Sequence, residues 1–484
     1  MRRPGRCAVR IKAAMVPASL CAAAAMAAPQ AAPPTVRTPT CTEGGCHSDQ
    51  TSFDFLHGPA AAGFCSACHE YADVQRHSFA LKRTGAEMCS FCHMGKANLD
   101  GLVVHQPVQD ENCIGCHDPH GSNRRFMLSA TTNREMCLAC HGTILEGRSA
   151  VHGPIREGDC LQCHVAHASL HAGLLVRPQD QLCRTCHAAV FEPMIAARAV
   201  EAAALLAAPD QQAGASGPPG GLYIHEPAEA NCAQCHEVHA SNHPLLLKDE
   251  PLALCVSCHE PVRLAATNAT VHHSAVTDNR ACLNCHAPHH SPFPHLMTSE
   301  PLNVCMECHV QNIPREDGTV VASLAELAAP DAKLHAPIAE GNCTICHRAH
   351  GGSHAFLLDQ PFPRDFYHAF TRDAYGLCFE CHDARLATEI ATTDATRFRN
   401  GDRNLHFVHV TKQGDAGRNC RVCHTVHAST RPALTRASTP FGAWNIPIEL
   451  QVTSTGGSCA AGCHRAYGYD RAAPVDNARP SPRP

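Results

Sequence analysis

The chain has 484 residues, enough for two to four ordinary domains, but only 5% are aromatic and one is tryptophan, Trp444. Large aromatic side chains dominate burial in most cores, and alanine and cysteine make up much of the 44% hydrophobic fraction here, so a protein-only interior is thin for this length. A net charge of −5 leaves no basic excess of the kind that binds nucleic acid, and the true anomalies are 32 cysteines and 37 histidines.

In chain order, Arg2, Arg3, Arg6, Arg10 and Lys12 precede an apolar stretch from Ala13 to Ala28. Ala25-Met26-Ala27 has the small-x-small form of a cleavage site. Residues 1–27 therefore read as an export signal, which would remove Cys7 and Cys21. No later stretch reaches about 18 uninterrupted apolar residues, so no transmembrane segment is expected in the mature chain.

The remaining thirty cysteines fall into fifteen pairs, each followed directly by histidine. Thirteen read C-x-x-C-H. The first seven are Cys65 and Cys68 with His69, Cys89 and Cys92 with His93, Cys113 and Cys116 with His117, Cys137 and Cys140 with His141, Cys160 and Cys163 with His164, Cys183 and Cys186 with His187, and Cys232 and Cys235 with His236. The other six are Cys255 and Cys258 with His259, Cys282 and Cys285 with His286, Cys305 and Cys308 with His309, Cys343 and Cys346 with His347, Cys378 and Cys381 with His382, and Cys420 and Cys423 with His424. Two have wider spacing: Cys41 and Cys46 with His47, and Cys459 and Cys463 with His464.

The spacing has a chemical reason. Two thiols can add as thioethers to the two vinyl groups on one edge of haem, and two intervening residues make the turn that presents both sulfurs. The next residue then points at the iron, where imidazole is the proximal ligand. Zinc ribbons and disulfides also use paired cysteines, but neither needs histidine after every second cysteine. The expected cofactor is about fifteen covalently bound haem c groups.

The motifs come in doublets, an internal repeat. In VHGPIREGDCLQCHVAHASLHAGLLVRPQDQLCRTCH from Val151, a leading histidine precedes the first motif, a histidine follows it by three residues, and a second motif closes the unit. Seven doublets and the lone motif at Cys41 account for all fifteen sites. Phe191 to Ala208 is helix-prone and Pro209 stops it; QQAGASGPPGG over 211–221 reads as a flexible linker. The expected organisation is a signal at 1–27, haems 1–7 in 28–190, helix and linker at 191–221, haems 8–15 in 222–464, and a disordered tail at 465–484. A second short helix is expected over 324–329, with Ser323 and Glu326 as a capping box.

The expected fold is mostly irregular with short α-helices and little β, a multihaem cytochrome c built on a packed haem chain. Leu174, Leu175, Leu245, Leu246, Leu247, Leu357 and Leu358 are expected on porphyrin faces. Seven histidines lead the doublets as candidate distal ligands: His57, His105, His152, His225, His272 or His273, His335, and His406 or His409. Seven more follow the first motifs: His77, His120, His167, His239, His289, His350 and His427. Eight histidines remain, including His171, His243, His295, His354 and His368, and one of these could serve the haem at Cys41. His120 lies three residues after proximal His117, on a segment pinned to one face of its own ring, so it is expected to ligate a neighbouring haem. Bis-histidine ligation closes both axial positions, which suits electron transfer rather than catalysis.

The pattern H-x-P-x-x-x-G-x-C-x-x-C-H-x-x-H-G/A-S followed by L-C-x-x-C-H resembles the doubled C-x-x-C-H cytochromes. These include the decahaem periplasmic cytochromes of metal-reducing and DMSO-reducing respiratory chains. The resemblance covers roughly Phe53 to Cys459. It implies an exported electron conduit, periplasmic or outer-membrane-associated, between periplasmic donors and an outer-membrane or extracellular acceptor. The implied partners are other redox proteins: periplasmic or inner-membrane cytochromes and an outer-membrane porin–cytochrome complex. The rival is a multihaem reductase of the nitrite, hydroxylamine or tetrathionate type with one open haem. No C-x-x-C-K marks such a haem, and the odd spacings at Cys41 and Cys459 are the places for an exception.

Overall fold

Each first motif begins a single 3-10 turn, as at Cys65–Ala67, Cys113–Gly115, Cys160–Gln162, Cys232–Gln234, Cys343–Ile345 and Cys420–Val422. The second cysteine's N–H closes the turn on the first cysteine's carbonyl, for example Cys163 on Cys160 at 3.3 Å. Most second motifs lie instead on short α-helices, such as Asn133–His141, Gln179–Arg184, Pro251–Val256 and Pro301–His309. Proline at the first position removes one of the exposed N–H groups that start such helices, and a capping box between Thr132 and Glu135 satisfies others. The structure, a computed structural model, describes residues 41–96, 99–207, 218, 220–315, 318–412 and 416–478. The export signal expected at 1–27, and most of the linker expected at 211–221, lie outside the described residues.

The leading histidines stand just before one-turn helices. His57, His105, His152, His225 and His335 precede Gly58–Ala61, Gln106–Gln109, Gly153–Glu157, Glu226–Ala230 and Ala336–Ala339. The proline of H-x-P sits inside the first turn, where its fixed φ preorganises the helix. The two residues before most leading histidines pair antiparallel with a two-residue strand of the next doublet. Val103 and Val104 pair with Ser169 and Ala168, Ala150 and Val151 with Ser241 and Ala240, Tyr223 and Ile224 with Ser291 and His290, and Lys333 and Leu334 with Ser429 and Ala428. Isolated two-residue ladders are marginal alone; here each ties one repeat to its successor.

After the first motif the chain doubles back through two consecutive left-handed residues. The pairs are Phe126 and Met127, Gly173 and Leu174, Leu245 and Leu246, His295 and Leu296, Phe356 and Leu357, and Ala433 and Leu434. Only one of these twelve is glycine, so most pay strain. The serine of the H-G/A-S segment holds the turn. Ser241, 1% exposed, accepts from the His243 N–H at 2.9 Å and donates to the Leu247 carbonyl; Ser169, Ser291 and Ser429 repeat the pattern. Replacing Ser241 by alanine orphans buried backbone groups and is expected to cost about 1–3 kcal/mol, read as a lowered urea midpoint of the oxidised protein.

The described residues cluster in two compact units, one holding those of 41–88 and 117–129, the other those of 89–116 and 130–478. The expected break at 191–221 is not where the units divide. A helix does form, Ala188–Ala207, burying Phe191, Met194 and Ala197 and held to the next doublet by Arg198 on Glu229 at 2.8 Å. It is an insertion, because the ladder from Ala150–Val151 to Ala240–Ser241 spans it.

The mostly irregular, short-helix architecture expected from the sequence is observed, with one addition. Ser438–Phe441, Trp444–Val452, Gly456–Ala461 and Tyr467–Asp470 form a four-stranded antiparallel sheet in that order. Residues 467–470, expected in a disordered tail, are thus its edge strand, and Asp470 further accepts from the Thr455 hydroxyl at 2.5 Å. The capping box expected at Ser323 is also absent. The Ser323 hydroxyl bonds the Val310 carbonyl and the Ala325 N–H, and the segment is a 3-10 turn, Ala325–Ala328.

Buried apolar side chains are few. The best-packed lie near the C-terminus, among them Tyr375, Ala387, Val410, Val422, Ile448 and Tyr469. Beside the motifs, Phe64, Ile114, Phe126, Leu170 and Leu245 are 66–76% exposed, more apolar surface than an isolated polypeptide keeps in water.

Candidate metal centres

The proximal histidines face second histidines across a constant gap. In the first unit His47 faces His77 and His69 faces His120, with ring centres 6.1 and 6.2 Å apart. In the second, His105 faces His141, His152 faces His187, His164 faces His239, His225 faces His259, and His236 faces His289. The row continues with His273 and His309, His286 and His350, His335 and His382, His347 and His427, His406 and His424, and His409 and His464. The separations span 5.9–6.4 Å. Ring planes lie within 5–29° of parallel except in the last pair, at 41°.

That distance is diagnostic. A direct N–H···N bond of about 2.9 Å would bring ring centres to roughly 5 Å. A metal bound by both rings at roughly 2 Å per nitrogen needs about 6.2 Å. The orientation agrees. Proximal His164, His236, His286, His347 and His424 direct Nδ1 to the carbonyls of Gly173, Leu245, His295, Phe356 and Ala433 at 2.8–3.0 Å, and His117 does so to Phe126. Each acceptor is the first left-handed residue of the turn. Among leading histidines, His57, His105, His225 and His273 bond Pro119, Ala166, Pro288 and Ala349 at 2.8–2.9 Å; His152 and His335 bond the backbone at Val238 and Val426. A carbonyl only accepts, so Nδ1 carries the proton and Nε2 keeps its lone pair for a metal.

The pairing obeys two rules. A leading histidine faces the second-motif histidine of its own doublet, as His152 faces His187. The histidine three residues after a first motif faces the first-motif histidine of the preceding doublet, as His239 faces His164. The His152 N–H bonds the His239 carbonyl at 3.0 Å, so one ladder delivers both partners. His120 accordingly stands opposite His69, not His117.

Two assignments left open by the sequence differ from expectation. Among the described residues it is His77, not one of the extra histidines, that faces His47, because the following-histidine series reaches back by one site. The last doublet has no successor, and the helix Leu405–Val410 supplies both His406 and His409, facing His424 and His464. Of His272 and His273, it is His273 that faces His309; His272 bonds the Ala266 carbonyl instead.

Burial favours the neutral form of several of these rings, the form that metal ligation requires. It lowers the pKa of His239, His289 and His350 and pushes His406 and His427 down to about 4. Among the described residues no group of three or more histidine, cysteine or acidic side chains converges on a metal, so the zinc-ribbon reading finds no ligand set there. Partnerless buried polar atoms, Tyr375 Oη and Arg421 Nε, lie beside Cys378 and Cys420, where a charged macrocycle edge can meet them. Facing imidazoles, flanking thiol pairs and uncovered apolar side chains all fit haem.

The thiol pairs form a row. First cysteines touch as Cys137 with Cys160, Cys183 with Cys232, Cys255 with Cys282, Cys305 with Cys343, and Cys378 with Cys420. Second cysteines approach within charge–charge range as Cys116 with Cys140, Cys163 with Cys186, Cys235 with Cys258, Cys285 with Cys308, Cys346 with Cys381, and Cys423 with Cys463. From Cys113 to Cys463 the sites therefore neighbour one another in sequence order. In the first unit Cys41 touches Cys65. The wide-spaced Cys459 lies on the strand Gly456–Ala461, with Cys463 and His464 in the turn after it.

Comparison with curated proteins gives no significant match. The family described as the doubled CXXCH motif matches residues 57–98, 105–145, 152–191, 225–264, 273–313 and 335–386, more than half of the chain. No helix among the described residues is long and apolar enough to cross a membrane. Each matched segment runs from a leading histidine through two attachment motifs, the unit that carries covalent haem c. The chain belongs to the doubled CXXCH motif family and is a multihaem c-type cytochrome that transfers electrons.

Proposed function

We propose that this cytochrome is an electron wire of fifteen haems, each held by one of the fifteen cysteine pairs and by two histidines. The observation that carries the proposal is the row of attachment sites that neighbour one another in sequence order, flanked by facing histidine pairs. Haem c supplies reversible one-electron iron chemistry. The chain does the rest: the cysteines fix spacing, the leading and following histidines close both axial positions, and the ladders hold the ligands in register. Closed axial positions leave no place for a substrate, which favours conduction over reduction of a small molecule.

The proposed setting is the periplasm or outer surface of the cell, between periplasmic donors and an outer-membrane or extracellular acceptor. The basic and then apolar start of the chain supports export. Pyridine haemochrome counting with EPR of the oxidised protein tests the reading. Fifteen haems per chain, all low-spin, are expected. A resting high-spin iron that binds nitrite or cyanide would replace the wire with a reductase.

A further inference from the structure

We propose that the nine iron sites from Cys137 to Cys381 share one axial ligand set, a backbone-clamped imidazole opposite an unclamped one, with the clamp changing sides from each site to the next. At Cys160 the proximal ring is clamped, His164 on Gly173; its partner His239 has no Nδ1 bond among the described residues. At Cys183 the distal ring is clamped, His152 on Val238, and proximal His187 is not. The alternation follows from the fold. First motifs are followed by the left-handed turn that offers its carbonyl to the proximal ring. Second motifs lie on helices without that turn, and the inter-doublet ladder clamps the distal ring instead.

The consequence concerns potentials, and it rests on reading these pairs as iron ligands. An Nδ1–H donated to a carbonyl makes Nε2 more basic, favours the oxidised iron and lowers its potential. One clamp per site gives all nine the same axial contribution, so none becomes an electron trap on that account. The ends depart from the rule. Neither the His47 nor the His77 ring bonds a carbonyl among the described residues, whereas the His409 and His464 rings bond the Leu405 and Arg465 carbonyls at 2.6 Å each.

Gly173 offers a clean test. It sits at φ +70°, and a Cβ there would meet nothing closer than Leu175 at 4.0 Å, so substitution acts through the backbone alone. Valine is strongly disfavoured in the left-handed region, whereas asparagine is tolerated. In an EPR-monitored redox titration of the full chain, Gly173→Val is expected to shift one low-spin ferric component and raise its midpoint. Haem count should be unchanged, and Gly173→Asn should overlay the wild type. A Val variant with full haem content and an unaltered titration would overturn the clamp. Loss of low-spin iron signals from the wild type itself would instead sink the ligand assignment beneath it.

Discussion

Replacing His427 by alanine is expected to open the iron held at Cys343 and Cys346, not the one held at Cys420 and Cys423 that lies three residues away in sequence. His427 faces His347 at 6.2 Å, while His424, the proximal ligand of its own motif, faces His406 at 6.3 Å. The chain around His427 is held by the His335 N–H on its carbonyl at 3.0 Å, a bond the substitution leaves intact. Thioethers retain the haem, so the haem count is unchanged while one iron becomes high-spin and binds carbon monoxide; added imidazole restores the low-spin spectrum. Location follows from combination. Removing Cys343 and Cys346 in the His427→Ala background should abolish the high-spin signal, and removing Cys420 and Cys423 should not. The opposite result would mean that each doublet ligates itself and that the interlock between repeats is wrong.

The sequence made the chemistry legible because covalent attachment is local: C-x-x-C-H puts two sulfurs and an imidazole on one turn, and no distant residue is needed to recognise it. Distal candidates were legible as a set for the same reason, since they recur at fixed offsets from the motifs. Their partners were not. The short offset already turns His239 away from the haem of His236, but nothing in the repeat says which neighbour it faces; the two-residue ladder that places it opposite His164 joins residues about 90 apart. The left-handed pairs were also hidden, because glycine, the residue that usually marks such a conformation, occupies only Gly173 among them, while Leu245, Phe356 and Ala433 read as ordinary apolar positions. A signal for the terminal sheet was present and unread: Ile446, Ile448 and Leu450 alternate along the strand Trp444–Val452, a period-two pattern.

Deleting one site from the middle of the row should affect conduction far more than capacity. Cys255 and Cys258 hold the site whose thiols touch Cys282 on one side and approach Cys235 on the other. Cys255→Ala with Cys258→Ala removes that site and leaves its neighbours bridged only by protein. Electronic coupling between redox centres decays exponentially with separation, so one missing member slows end-to-end transfer by orders of magnitude. Charge stored at equilibrium falls by only one electron. Conductance across a monolayer tethered at the chain's two ends, compared with coulometry of the same film, separates these quantities. Removing the terminal pair Cys459 and Cys463 instead costs the same one electron but leaves the row continuous, so conductance should stay near the wild-type value. Equal, small losses in both variants would mean that electrons do not travel along the sequence-ordered row, and that the protein works as a reservoir rather than a conductor.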